Sequence, residues 1–152
     1  MARFIYGMQA VLNVKLHQEE QAKQAFGEAA AALNEQEAKL DDLQRRKRQY
    51  IQEGIELRTA SILDIPGISE NQYAQEQMER LIADQTEVVE QYRLAFERQR
   101  LRLTQAIQER RMQERLRERA YDEYLEEEKQ AEYKESDQRT SFTYTVRQRE
   151  AG

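Results

Sequence analysis

Apolar residues recur at three- and four-residue spacing along most of this chain, the repeat of a helix that buries one narrow stripe. In the first sixty residues the stripe fits a heptad register. Positions a are Ile5, Leu12, Glu19, Phe26, Leu33, Leu40, Lys47 and Gly54; positions d are Met8, Lys15, Ala22, Ala29, Gln36, Leu43, Tyr50 and Leu57. Eleven of these sixteen are apolar, which makes a coiled-coil seam with polar interruptions. Four successive alanines at 29–32 favour helix and are small enough for a partner helix to approach closely. A second stripe starts as Met78, Leu81, Ile82, Val88, Val89, Tyr92, Ala95 and Phe96. It continues through Leu103, Ala106, Ile107, Met112, Leu116, Ala120 and Tyr124. Its strict seven-residue spacing drifts after Ala95, which predicts a stutter or local unwinding.

The one proline, Pro66, lies between the two stripes and is followed by Gly67. Proline pushes the preceding Ile65 out of the α region, and Gly67 suits a turn position with positive φ. Ser69-Glu70-Asn71-Gln72 reads as a capping box, with Ser69 as N-cap and Gln72 reaching back. The predicted fold is all-α, a long two-helix antiparallel coiled-coil hairpin over 1–138. Its helices span 3–61 and 70–137, and its turn spans 62–69. Folding about residue 65 pairs Tyr50 with Leu81, Leu40 with Tyr92 and Phe26 with Ala106. The last turns of the second helix then overhang the N-terminus. Tyr50, Tyr92 and Tyr124 fall on the stripe, whereas Tyr73, Tyr121 and Tyr133 fall off it. Residues 139–152, which contain Phe142, Tyr144 and Val146, predict a flexible tail that orders on binding.

Composition narrows the chemistry. The chain has room for one domain of 152 residues and carries no cysteine, so disulfides, thiol nucleophiles and Cys-ligated zinc are excluded. His17 is the only histidine, which rules out a His-rich metal site or a catalytic arrangement with two histidines. Glu126-Glu127-Glu128 and Asp41-Asp42 are sequential on a helix and point in different directions. No phosphate-binding glycine loop is present. A two-helix hairpin also has no interior for a pocket, so the expectation is a binding protein, not an enzyme, without metal or cofactor. No apolar run approaches the ~20 residues of a membrane span, and the start lacks the apolar stretch of a signal peptide. A cytoplasmic protein is expected.

The net charge of −5 conceals an uneven distribution. Residues 93–119 carry nine arginines against four glutamates, and 122–137 carry eight acids against two lysines. Adjacent bands of opposite sign can each bind a partner of the other sign. Arg45-Arg46-Lys47-Arg48 is a compact basic cluster, but aromatic interleaving is thin and the chain is acidic, so no nucleic acid is expected.

Two terminal motifs resemble a known family. Phe4-x-Tyr6-x-Met8-Gln9-x-Val11-Leu12-x-Val14-Lys15, followed by Glu19-Glu20-Gln21-Ala22, is similar to the start of FliJ proteins of the bacterial flagellar type III export apparatus. Glu118-Arg119-Ala120-Tyr121-Asp122-Glu123-Tyr124, then Glu132-x-Lys134-Glu135-x-Asp137, resembles the C-terminal signature of that family. Ser141-Phe142-Thr143-Tyr144 is similar to the tails of some Gram-positive members. The resemblance spans nearly the whole chain. It implies a non-enzymatic coiled coil like the central stalk of rotary ATPases. The paired terminal segments would enter the export ATPase ring and stimulate it. The region near the turn would contact the cytoplasmic domain of the export gate, and the protein would escort export chaperones. Leu43 and Tyr50 match the leucine and tyrosine of the family's gate-contacting face. Among the charged bands, Arg115, Arg117 and Arg119 are the candidate contacts to the ATPase ring. Such a chain would be monomeric alone and would sit on the cytoplasmic side of the inner membrane at the flagellar base, held there only by its partners. Two alternatives remain open: a general coiled-coil scaffold, and the equivalent stalk of a virulence type III secretion system.

Overall fold

The computed structural model describes residues 3–151. It consists of two long α-helices packed together, with no strand among the described residues: α1 (Gln9–Thr59) and α2 (Ile65–Ala151). The described residues fall into two compact units. One combines residues up to Glu19 with those from Ala106 on, and the other is Glu20–Gln105.

The turn differs from the sequence expectation, and the cause is local. The loop closes over 60–64, and Pro66 stands inside the first turn of α2, not in the loop. At a helix start the missing proline N–H costs no hydrogen bond. Asp64, not Ser69, is the N-cap: its Oδ1 accepts from the backbone N–H of Gly67 at 3.1 Å, and its carbonyl accepts the first helical bond from Ile68 at 3.0 Å. Gly67 has no positive φ. A Cβ there would collide with the Asp64 carboxylate, so glycine at this place leaves room for the cap. At the other end of the loop, the Thr59 hydroxyl donates to the carbonyl of Ile55 at 2.8 Å as α1 terminates.

In the unit 20–105, Phe26 packs on Phe96 with ring centroids 5.0 Å apart, and Asn71 reaches the carbonyl of Tyr50. Ala106 and Leu81 were the expected partners, each ten residues farther from the turn. Moving the fold point from residue 65 to the loop at 60–64 accounts for most of that shift.

Every a and d position of α1 from Leu12 to Leu57 is buried or half-buried. The α2 seam follows two unbroken seven-residue rows. One is Asn71, Met78, Gln85, Tyr92, Gln99, Ala106, Gln113 and Ala120. The other is Gln75, Ile82, Val89, Phe96, Leu103, Arg110, Arg117 and Tyr124. All of these are buried or half-buried except Tyr92 and Arg117. The expected stutter after Ala95 is therefore absent. Polar side chains occupy seam places, so a stripe drawn through apolar residues alone drifts off the contact line.

The buried apolar set is small: Leu12, Leu33, Val89 and Ala106. Polar contacts fill the gaps between them. In the unit 20–105, Gln85 Nε2 donates to both the carbonyl and the Oε1 of Gln36, each at 3.0 Å. In the other unit, Arg110 donates from Nε to Glu19 Oε2 at 2.5 Å, and the carboxylate of Glu19 is almost fully buried. That hydrogen bond, more than the nearby charges, holds the Arg110 guanidinium above its ordinary pKa; Glu114 adds to it. Such pairs contribute little net stability, because desolvation offsets attraction, but a mispaired register would leave a buried charge alone.

Residues 139–151, expected as a flexible tail, continue α2 to Ala151. The β-branched threonines are accommodated by their hydroxyls. Thr140, Thr143 and Thr145 each donate to the carbonyl four residues back, at 3.0, 2.9 and 2.9 Å. Arg139 and Glu135 add an ion pair one turn apart, at 2.7 Å.

Candidate partner-binding surfaces

Near the turn, the heptad pattern puts Leu43 and Tyr50 at successive d positions, seven residues apart on one side of α1. Both are half-buried in the seam. The backbone of Tyr50 is engaged as well: its carbonyl accepts from Asn71 Nδ2 at 2.8 Å, and Asn71 Oδ1 accepts from Gln75 Nε2 at 2.8 Å. Gly54 lies against the same amide. A Cβ at Gly54 would stand 2.5 Å from Asn71 Oδ1. Leu43 and Tyr50 thus offer only part of each side chain outward, framed by exposed Lys39 and Arg46. Arg46 pairs with Asp42 at 3.2 Å, and Lys47 crosses to Glu79 at 3.6 Å.

The N-terminal residues pack on the 106–124 stretch of α2 within the unit formed by residues up to Glu19 and from Ala106 on. Residues 3–6 are not helical; they lie along α2. Phe4 holds them there. Its ring meets Tyr121 edge-on at 5.1 Å and Tyr124 at 5.4 Å, and the guanidinium of Arg117 sits 5.6 Å from the ring centre. Tyr6 donates to Gln113 Oε1 at 3.3 Å, Arg117 Nε to Gln9 Oε1 at 3.2 Å, and Lys15 Nζ to Glu109 Oε2 at 3.1 Å. The phenol of Tyr124 is pushed above its ordinary range, first by burial and then by Glu128 and Tyr121.

The structure separates the three candidate arginines. Arg117 is turned inward onto Phe4 and Gln9. Arg115 and Arg119, one turn apart, line a shallow open depression with Gln108, Arg111, Met112 and Leu116. Tyr121, read from the sequence as lying off the stripe, is instead half of the clamp on Phe4. The Tyr121/Tyr124 pair at three-residue spacing was the signal that could have found it. The Glu19–Arg110 pair could have been found from a charged residue at an a position facing an arginine-rich helix.

No group of three or more His, Asp or Glu side chains among the described residues could hold a metal ion. Among the described residues no helix is long and apolar enough to cross a membrane. Two helices with a polar-laced seam, open depressions and partly exposed apolar residues define a coiled-coil hairpin. The family model of the flagellar FliJ protein matches residues 5–149, and the chain belongs to that family. It is thereby a component of the flagellar type III export apparatus. No curated protein and no solved structure matches the chain.

Proposed function

We propose that this chain is a non-enzymatic, stalk-like subunit that binds and stimulates the export ATPase ring through its chain ends. Near the turn it contacts the cytoplasmic domain of the export gate through Leu43 and Tyr50, and it escorts export chaperones. Its station is the cytoplasmic side of the inner membrane at the flagellar base, reached through partners. The observation that carries this reading is the family match over 5–149 on a hairpin that lays the N-terminal Phe4 against Tyr121 and Tyr124 of α2. For the ring, Arg115 and Arg119 are the charges without a partner among the described residues, whereas Arg117, also exposed, acts by holding Phe4 in place. The family match favours the flagellar apparatus over a virulence system or a general scaffold.

The test is a pull-down with the full chain from lysate of a flagellated bacterium, scored for the export ATPase, the export gate and export chaperones. Recovery of the ATPase is expected. A folded chain that recovers none of these partners would overturn the proposal.

A further inference from the structure

The acidic and basic bands share one exposed face of α2. Met112, Arg119, Glu126 and Tyr133 recur every seven residues, and Leu116 and Tyr144 lie in the neighbouring row. Met112 precedes the seam residue Gln113 and Arg119 precedes Ala120. This face is therefore turned about 100° from the one that meets α1. Its apolar side chains are open: Met112 is 61% exposed, Tyr133 71% and Tyr144 63%. Two shallow depressions lie along it, one around Met112 and Leu116 and one around Tyr133 and Ser141. Arg111, Arg115 and Arg119 make no ion pair with the described residues, and neither do Glu123, Glu126 and Glu127. By contrast, Arg110 and Arg139 on other faces are paired.

An amphipathic face that is basic over 108–119 and acidic over 123–134 is complementary to itself when reversed. We propose that, against the monomer that the family resemblance implies, this face binds a second copy of the chain, with the two α2 helices antiparallel about a two-fold axis near residue 121. Residues 108–119 of each copy then lie over 123–134 of the other. Arg111, Arg115 and Arg119 face the acids of the other copy, and Met112, Leu116 and Tyr133 lose water together. The contact is isologous, so it closes at a dimer. Because its charges are exposed, it is strongest in low salt. The interface covers Arg115 and Arg119, so self-association and any other use of those arginines exclude one another.

Sedimentation equilibrium of the full chain alone tests this without any export partner, so its outcome is independent of the stalk proposal. A monomer–dimer equilibrium is expected that weakens at least about tenfold from about 0.05 M to about 0.5 M salt. R111E/R115E/R119E and E123R/E126R/E127R should each be monomeric at unchanged helicity, and an equimolar mixture of the two should restore a dimer. A wild-type chain that stays monomeric in low salt overturns the proposal. So do a dimer that persists in both variants and a mixture that fails to associate.

Discussion

A methyl group at Gly54 should destabilise the wild-type hairpin, although alanine is the better helix former. Gly54 sits inside α1, where replacing glycine by alanine ordinarily gains about 1 kcal/mol. Here the new Cβ would stand 2.5 Å from Asn71 Oδ1 and 3.1 Å from Gln75 Nε2. Asn71 cannot move away freely, because it is 7% exposed and its amide donates to the carbonyl of Tyr50 at 2.8 Å. Overpacking typically costs about 1–3 kcal/mol, and a displaced buried hydrogen bond costs about 1 kcal/mol more. G54A should therefore lower stability by roughly 1–3 kcal/mol after the propensity gain is subtracted. With N71A the obstacle disappears and Gln75 is free to swing out. G54A in that background should raise stability by about 1 kcal/mol relative to N71A alone. Urea melts of the four proteins, followed by far-UV circular dichroism, give the coupling energy directly. Simple additivity, with G54A stabilising both backgrounds, would refute the packing of Gly54 against Asn71 and with it the register of the turn-proximal half.

D64A should cost about 1 kcal/mol as a lost N-cap, while S69A should stay within about 0.5 kcal/mol of wild type; the reverse order in thermal melts would return the cap to Ser69. The raised pKa of Tyr124 means that the folded chain favours the neutral phenol, so its contribution is present below the unfolded value near ~10 and is lost as pH rises through the higher folded value. Melting temperature measured from neutral to strongly alkaline pH should fall less steeply in Y124F than in wild type, and parallel curves would contradict this. L43A and Y50A should weaken binding to the gate domain by more than their melting temperatures account for. Binding losses that track the loss of melting temperature would assign both residues to the seam alone.

The α1 seam was legible because its heptad is mostly apolar: each a and d position from Leu12 to Leu57 is at least half-buried. The α2 register was not legible from apolar residues, because Gln85, Gln99, Arg110 and Gln113 stand in the contact rows. Charge and amide groups enter a two-helix seam easily, since their tips can reach a partner or water. The turn was misplaced because Asp64 and Ser69 are both good caps, and a proline in the middle of a chain looks like a loop residue. Asp64 prevails because Pro66 and Gly67 then fall in the first helical turn, where neither costs a hydrogen bond and the glycine leaves space for the carboxylate. Helix through 139–151 was hidden by threonine and aromatic content, which the backbone accommodates through hydroxyl bonds. The division of Arg117 from Arg115 and Arg119 depends on where Phe4 lands, and no periodicity in residues 3–6 announces that.

A stalk that works on the export ATPase should raise its rate of hydrolysis. Purified ATPase is titrated with the full chain, and hydrolysis is followed at low and physiological salt. Activation at substoichiometric chain is expected, as for one stalk per ring. Charge reversal at Arg115 and Arg119 should reduce both the activation and its salt sensitivity, because exposed charges are screened over about 8–10 Å at physiological salt. Full activation by the double variant would clear these arginines of a role. No activation by a properly folded wild-type chain would contradict the stalk function itself.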